Sequence, residues 1–144
     1  MEGQLKFQNI KKISVQNLNY RQKKTYNFQK VSSLFADYGF ATYQVNDAWQ
    51  NVDFIASHLD GVTCLSIYLK DRLTFHEKYF HREIYICFPH KENWYLFPHD
   101  ELVRIFLEKN ISGISDSKSW SKTGSYIFRA LSKQHSQILE KYKL

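Results

Sequence analysis

The feature that most constrains the fold is a β-hairpin predicted in the middle of the chain. Two apolar-rich runs, residues 52–58 and 62–70, flank the dipeptide Asp60-Gly61. This dipeptide favours a two-residue type I′ turn between antiparallel strands. Counting outward from that turn pairs residue 57 with 64, 55 with 66 and 53 with 68. The period of two then places six apolar side chains on one face: Val52, Phe54, Ala56, Leu65, Ile67 and Leu69.

The other face of this hairpin carries polar side chains, among them Asp53, Ser66, Tyr68 and Lys70. Asp53 and Lys70 lie in diagonal reach across the strands, with Tyr68 between them. We expect the apolar face to lie in the core and the polar face to be the working surface. The simplest alternative is that Asp53 and Lys70 form an exposed ion pair, which contributes under about 1 kcal/mol.

An amphipathic helix is predicted before the hairpin. Asn19 and Gln22 have the spacing of a capping box, and Gly39 suits the left-handed residue after the last turn. The apolar stripe of this helix consists of Phe28, Val31, Leu34, Phe35 and Tyr38.

The remaining segments complete a layered α/β domain. Further strands are expected at 40–45, 84–88, 94–97 and 125–128, further helices at 100–109 and 129–142, and connections at 71–83 and 111–123. No long linker divides the chain, so we expect a single domain over residues 1–144. Its parts are an N-terminal arm (1–18), a core (19–110) and a C-terminal loop, short strand and helix (111–144). The predicted fold class is α/β, with a mixed central sheet of about four or five strands flanked by helices.

The composition excludes several classes of protein. Hydrophobic residues make up 43% and charged residues 24%, which argues against a disordered chain. No apolar run reaches the roughly 18 residues of a membrane-spanning helix. The first residues lack the apolar region of a signal peptide, so a cytoplasmic location is expected. Cys64 and Cys87 are too far apart for a CxxC motif and are expected to be buried as small hydrophobic residues.

Positive charge is concentrated at both ends of the chain. Residues 1–30 hold seven Lys or Arg against one acidic residue, residues 118–144 hold six against one, and residues 31–117 have a net charge of −5. The two basic ends would form one phosphate-binding surface if the fold brings them together. The alternative is that they only solvate the surface or dock on the acidic centre.

The order of helix, strand, hairpin, strands and helix, with Asp53 on one strand and Lys70 on the next, resembles the PD-(D/E)xK nuclease superfamily. This is the restriction-endonuclease-like fold also used by Holliday junction resolvases. The resemblance covers roughly residues 19–110. The tracts Asp53–Ala56 and Trp94–Leu102 are also similar to those of small uncharacterised bacterial proteins of this superfamily.

This resemblance implies a metal-dependent DNA endonuclease using Mg²⁺ (or Mn²⁺). Asp53 would be the first metal ligand and the Leu69 carbonyl another, and Lys70 would be the motif lysine, which positions water and stabilises transition-state charge. The catalytic positions are then Asp53, Tyr68 and Lys70. Tyr68 stands where the motif has its second acid, and deprotonating a phenol at neutral pH costs about 4 kcal/mol.

Two hypotheses follow from Tyr68. Either catalysis survives with a ligand from elsewhere, such as Asp47 or Asp71, or the fold serves as a nucleic-acid-binding or protein-interaction module without hydrolysis. DNA is the expected partner, with its phosphates held by basic residues at the rim of the site: Arg21, Lys23, Lys24 and Arg72. The resemblance also implies a homodimer, because cutting two strands needs two sites.

Overall fold

A computed structural model of the chain describes residues 9–45 and 52–144. Seven strands are assigned within those residues: β1 (Phe40–Gln44), β2 (Phe54–His58), β3 (Cys64–Leu69), β4 (Thr74–His76), β5 (Ile84–His90), β6 (Asn93–Pro98) and β7 (Ser125–Ile127). Five of them form one sheet in the order β1-β2-β3-β5-β6, and β4 pairs with β7 in a second, two-stranded sheet. The large sheet is mixed, because β3 and β5 are parallel and its other neighbours are antiparallel. The predicted α/β class with a mixed central sheet is confirmed.

The described residues also form the α-helices α1 (Tyr20–Asp37), α2 (His99–Glu108), α3 (Lys118–Thr123) and α4 (Lys133–Leu139), of which α1 and α2 pack against the large sheet. Short 3₁₀ helices occupy Val15–Asn17, Glu77–Tyr79, Ile111–Asp116 and Glu140–Tyr142. Within the described residues, no helix has the length and apolar character needed to cross a membrane.

Helix α1 begins as predicted. The Asn19 side chain accepts the backbone N–H of Gln22 at 2.8 Å, and the Gln22 side chain accepts that of Asn19 at 3.0 Å. Gly39 follows the helix with φ 83°. Val31 and Phe35 are fully buried against the sheet, whereas Tyr38 is exposed, so the apolar stripe ends one turn earlier than predicted.

The hairpin of β2 and β3 has the predicted register, with Ile55 opposite Ser66 and Ser57 opposite Cys64. The predicted type I′ turn is wrong. Such a turn needs positive φ at two successive residues, and Gly61 has it (73°) but Asp60 does not. The turn closes instead when the Gly61 N–H donates to the His58 carbonyl. The Asp60 carboxylate accepts three further hydrogen bonds from the two residues after Gly61.

Both faces of the sheet are buried, which corrects the expectation of one core face and one polar face. On one face, α1 covers Phe54, Ala56, Ile67 and Leu69. On the other, α2 and the C-terminal segment cover a larger cluster that includes Tyr68. The physical reason is that β3 is a central strand with a parallel neighbour, and such strands are covered on both sides.

Three segments differ from the sequence prediction. Residues 71–83, expected as a connection, contain β4 and a 3₁₀ helix, and residues 111–123 contain a 3₁₀ helix and α3. The C-terminal helix starts at Lys133 rather than at residue 129. Cys64 is exposed, and only Cys87 is buried. The boundaries of helices and strands, and the presence of short elements, depend on contacts with distant segments, and local sequence patterns do not report those contacts.

Candidate nucleic-acid interface

Asp53 lies immediately before β2 and links the sheet to α1. Its Oδ2 atom accepts the backbone N–H of Leu69 at 2.7 Å, and its Oδ1 atom pairs with Lys24 Nζ at 2.8 Å. The predicted alternation stops at Phe54, because Val52 packs against the cluster on the opposite face from Phe54. The carboxylate therefore meets a lysine of α1, and the predicted ion pair between Asp53 and Lys70 is not formed.

The ion pair with Asp53 also favours the charged form of Lys24. Partial burial acts to lower the pKa of Lys24, but the hydrogen bond and attraction of Asp53, with a smaller contribution from Asp71, raise it above its usual value. Lys24 is therefore a permanent cation at this position.

Tyr68, at the second acidic position of the motif, is part of the core. It is 9% exposed, and its ring stacks on that of Tyr79 with 4.6 Å between the ring centroids. Burial is the largest of the effects that raise the pKa of Tyr68 above its usual value. A neutral, stacked phenol cannot replace the carboxylate of the motif.

Lys70 follows β3 and lies over the same two rings. Its Nζ atom is 5.0 Å from the centre of the Tyr68 ring and 5.6 Å from that of Tyr79, within the range of a cation–π interaction. Its backbone N–H donates to the Cys87 carbonyl of β5 at 2.8 Å. The amino group is thus held at the end of the central strand pair without a carboxylate partner among the described residues.

A cavity of about 100 Å³ lies between the first turns of α1 and the end of β3. It is lined by Tyr20, Lys23, Lys24, Asn27, Leu69, Lys70 and Asp71. The helix residues recur at spacings of three and four, so they share one face of α1. Three lysines line the cavity with Asp71, and Asp53 pairs with one of them, Lys24, so the excess charge is positive. Two of these lysines, Lys23 and Lys24, were predicted as phosphate contacts.

The other two predicted DNA contacts lie outside this cavity. Arg21 is exposed on α1, and its position in the helix turns it away from the lining face. Arg72 is exposed and lines two wider grooves. One groove also contains Lys23, Lys30 and Lys91, and the other contains Arg129. Arg72 thus connects the basic N-terminal region to the basic C-terminal region.

Sequence analysis missed three side chains of the segment between β4 and β5. Tyr79 is 2% exposed and carries the stack with Tyr68, and Lys78 Nζ lies 5.4 Å from the centre of the Tyr79 ring. Arg82 lies close enough to act on the pKa of both tyrosines. It is flanked by His81 and Glu83, which both adopt positive φ, a conformation that costs energy in residues other than glycine. The density of charged residues between positions 77 and 83 is the sequence signal that could have pointed to this segment.

The residues present do not fit the implied Mg²⁺ or Mn²⁺ ion. A hard cation needs several free oxygen ligands, but the two Asp53 oxygens already hold Lys24 and the Leu69 N–H. In the part of the chain that the structure describes, no three His, Cys, Asp or Glu side chains converge on a metal position. Asp71 lines the lysine cavity, and Asp47 lies outside the described residues.

The first turn of α1 has an unfavourable charge distribution for a helix. It contains no acidic residue, and Arg21, Lys23 and Lys24 lie at the end where the helix dipole is positive. Cations at this end destabilise a helix, so the arrangement raises positive potential at the expense of stability.

An Arg21→Glu substitution is therefore expected to stabilise the fold. Removing a cation from the first turn and adding an anion should contribute about 1 kcal/mol and raise Tm by about 3 °C. Thermal unfolding followed by circular dichroism measures the shift. Lys30→Glu makes the same change of charge further along α1, where the dipole effect has decayed, and should not raise Tm. A decrease of Tm in Arg21→Glu would contradict this account.

The chain was compared with protein-family models, curated proteins and solved structures. No known protein family and no curated protein sequence matches the chain. The fold is similar to that of a Holliday junction resolvase. That resolvase is Hjc of the archaeal hyperthermophile Archaeoglobus fulgidus. It shares 21% sequence identity with the present chain at a TM-score of 0.38, and the match covers 49% of this chain and 74% of that chain.

Proposed function

We propose that this protein binds DNA through its phosphate backbone, using the lysine cavity and the basic grooves beside it, and that it does not hydrolyse the bound strand. The observation that carries this proposal is one cavity lined by Lys23, Lys24 and Lys70, with Asp71 in its lining and Asp53 paired with Lys24. Like charges converge at a cost in free energy, and a bound phosphate would offset that cost.

The extent of the basic surface favours a polyanion over a single small anion. Arg72 lines both grooves, so cations continue from Lys23 and Lys30 at one side to Arg129 at the other. A chain of phosphates can contact such a series, whereas one phosphate can occupy only one position in it. DNA is the polyanion that the sequence resemblance implies.

The proposal of binding without hydrolysis rests on Asp53 and Tyr68. Hydrolysis in this superfamily requires a metal ion near the scissile phosphate. Here the carboxylate of Asp53 is engaged by Lys24 and by the backbone of β3, and Tyr68 is a buried neutral phenol. These contacts support a phosphate-binding role for the same region.

The first test combines binding with cleavage. The purified protein is incubated with linear, supercoiled and branched DNA in the presence of Mg²⁺ or Mn²⁺, beside an Asp53→Ala, Lys70→Ala variant. We expect no cleavage, and an affinity of the wild-type protein that falls steeply as salt rises, because binding releases counterions from DNA. Cleavage that disappears in the variant would establish a nuclease. If the protein shows neither binding nor cleavage, that result would favour the protein-interaction module.

An Asp53→Asn substitution separates binding from catalysis. It removes a negative charge beside the lysine cavity and frees Lys24 for a phosphate, so DNA affinity is expected to rise about fivefold, equivalent to about 1 kcal/mol. Fluorescence anisotropy with labelled duplex measures the change. Asp37→Asn makes the same change of charge at the exposed far end of α1 and should leave affinity within twofold. Weaker binding in Asp53→Asn, with loss of metal-dependent cleavage, would instead support a nuclease.

A further inference from the structure

The pair between Lys24 and Asp53 places a cation of the chain itself at the position assigned to a metal. Lys24 reaches Asp53 from α1, and the Nζ to Oδ1 distance is 2.8 Å. The charge of Asp71 acts on the same amino group. Lys24 is therefore the counter-ion of Asp53, and Asp71 lines the same cavity as Lys24.

We propose that Lys24 is a built-in replacement for the divalent cation: its ammonium group neutralises Asp53, and it keeps Mg²⁺ and Mn²⁺ from binding there. The inference rests on the proposed function only where it concerns DNA. Its central claim, that Lys24 excludes a divalent ion, concerns the protein alone.

Competition between the two cations has a simple physical basis. A divalent ion must lose water and gain oxygen ligands, and an ammonium group that already donates to Asp53 removes one of those ligands. The positive charge of Lys24 also repels an approaching ion at short range. The lysine is attached to a helix whose Val31 and Phe35 are fully buried, so the helix holds its backbone close to Asp53.

Lys23 provides a matched control for Lys24. Both lysines belong to the same turn of α1, line the same cavity and carry the same charge, but the ion pair with Asp53 is made by Lys24. Removing either one changes the general electrostatic potential by a similar amount. Only removal of Lys24 releases an oxygen of Asp53.

The test measures binding of Mn²⁺ alone by electron paramagnetic resonance, without DNA. We expect the wild-type protein to bind Mn²⁺ no tighter than the millimolar range. Lys24→Ala should bind one Mn²⁺ per chain at least tenfold more tightly, Lys23→Ala should stay within threefold of wild type, and Lys24→Ala with Asp53→Asn should lose the gain. Circular dichroism establishes that each variant is folded.

Two results would overturn the proposal. Tight binding of Mn²⁺ by the wild-type protein would show that Lys24 does not exclude the ion, and this measurement needs no variant. Equal gains in Lys24→Ala and Lys23→Ala would show that only net charge matters. If Lys24→Ala does not fold, Lys24→Gln keeps a hydrogen-bonding side chain next to Asp53 without the charge, and an absence of any gain in that variant would also overturn it.

A parallel experiment with DNA keeps the two proposals distinguishable. At constant ionic strength, the wild-type protein should bind duplex DNA equally, within twofold, in EDTA and in Mg²⁺, whereas Lys24→Ala should bind more tightly when Mn²⁺ is present. An affinity of the wild-type protein that requires Mg²⁺ would overturn the role of Lys24. Absence of DNA binding under all conditions would remove the proposed function, while the Mn²⁺ titration would still decide whether Lys24 excludes the metal.

Discussion

A Lys23→Glu, Lys70→Glu variant is expected to bind duplex DNA about 100-fold more weakly than the wild-type protein, a loss of about 2.7 kcal/mol. Both residues line the same cavity, Lys23 from α1 and Lys70 from the end of β3. Reversing both charges removes two phosphate contacts and places two anions against the backbone. The slope of log K against log salt should decrease in magnitude by about two, because each lost phosphate contact lowers it by about one. Fluorescence anisotropy over a series of salt concentrations measures both quantities.

A variant with the same net charge controls for general electrostatics. Lys118 and Lys133 are the first residues of α3 and α4 and lie outside the cavity and the basic grooves. Lys118→Glu with Lys133→Glu should weaken binding less than about fivefold, because only long-range attraction changes and salt screens it within about 10 Å. Equal losses in the two variants would mean that binding follows total charge and that the cavity is not the site.

A His99→Ala substitution is expected to lower the free energy of unfolding by about 3 kcal/mol. His99, the first residue of α2, is fully buried. Its Nε2 atom accepts the backbone N–H of His76 at 3.1 Å, so the ring proton lies on Nδ1, which donates to Asp100 at 3.0 Å. The substitution leaves a cavity among aromatic rings and a backbone donor without its partner. Urea denaturation at pH 7.5 measures the loss, and His90→Ala, at the half-buried end of β5, should lose less than about 1 kcal/mol.

The same histidine makes the stability depend on pH. Burial lowers the pKa of His99 below its ordinary value of 6.5, although Asp100 acts to raise it, and burial also lowers the pKa values of His76 and His135. The unfolded chain therefore binds protons below pH 6.5 that the folded chain does not. Stability is fully present above pH 6.5 and decreases as pH falls toward the folded-state values. A His99→Gln variant should lose stability less steeply between pH 7.5 and 5.5, and an identical slope in both proteins would contradict this assignment.

The sequence by itself determined the elements whose geometry is local. The capping box of Asn19 and Gln22 and the register of β2 against β3 follow from contacts within a few residues or from the two-residue period of a strand. The register was predicted correctly although the turn type was wrong, because a shift by one residue would have moved every apolar side chain of the hairpin to the other face. The sequence also predicted Lys23, Lys24 and Lys70 at the candidate site, and these three residues line one cavity.

Only the tertiary structure decided which groups the candidate site residues contact. Asp53 was predicted to face Lys70 and instead pairs with Lys24, because the strand alternation ends at Phe54 and α1 packs across the end of the sheet. Tyr68 was predicted on a polar face and is buried against Tyr79, a residue from the segment expected to be a connection. Partners of this kind are separated by many residues along the chain. Their contacts arise from the packing of whole layers, whose free energy is spread over many side chains and leaves no local pattern in the sequence.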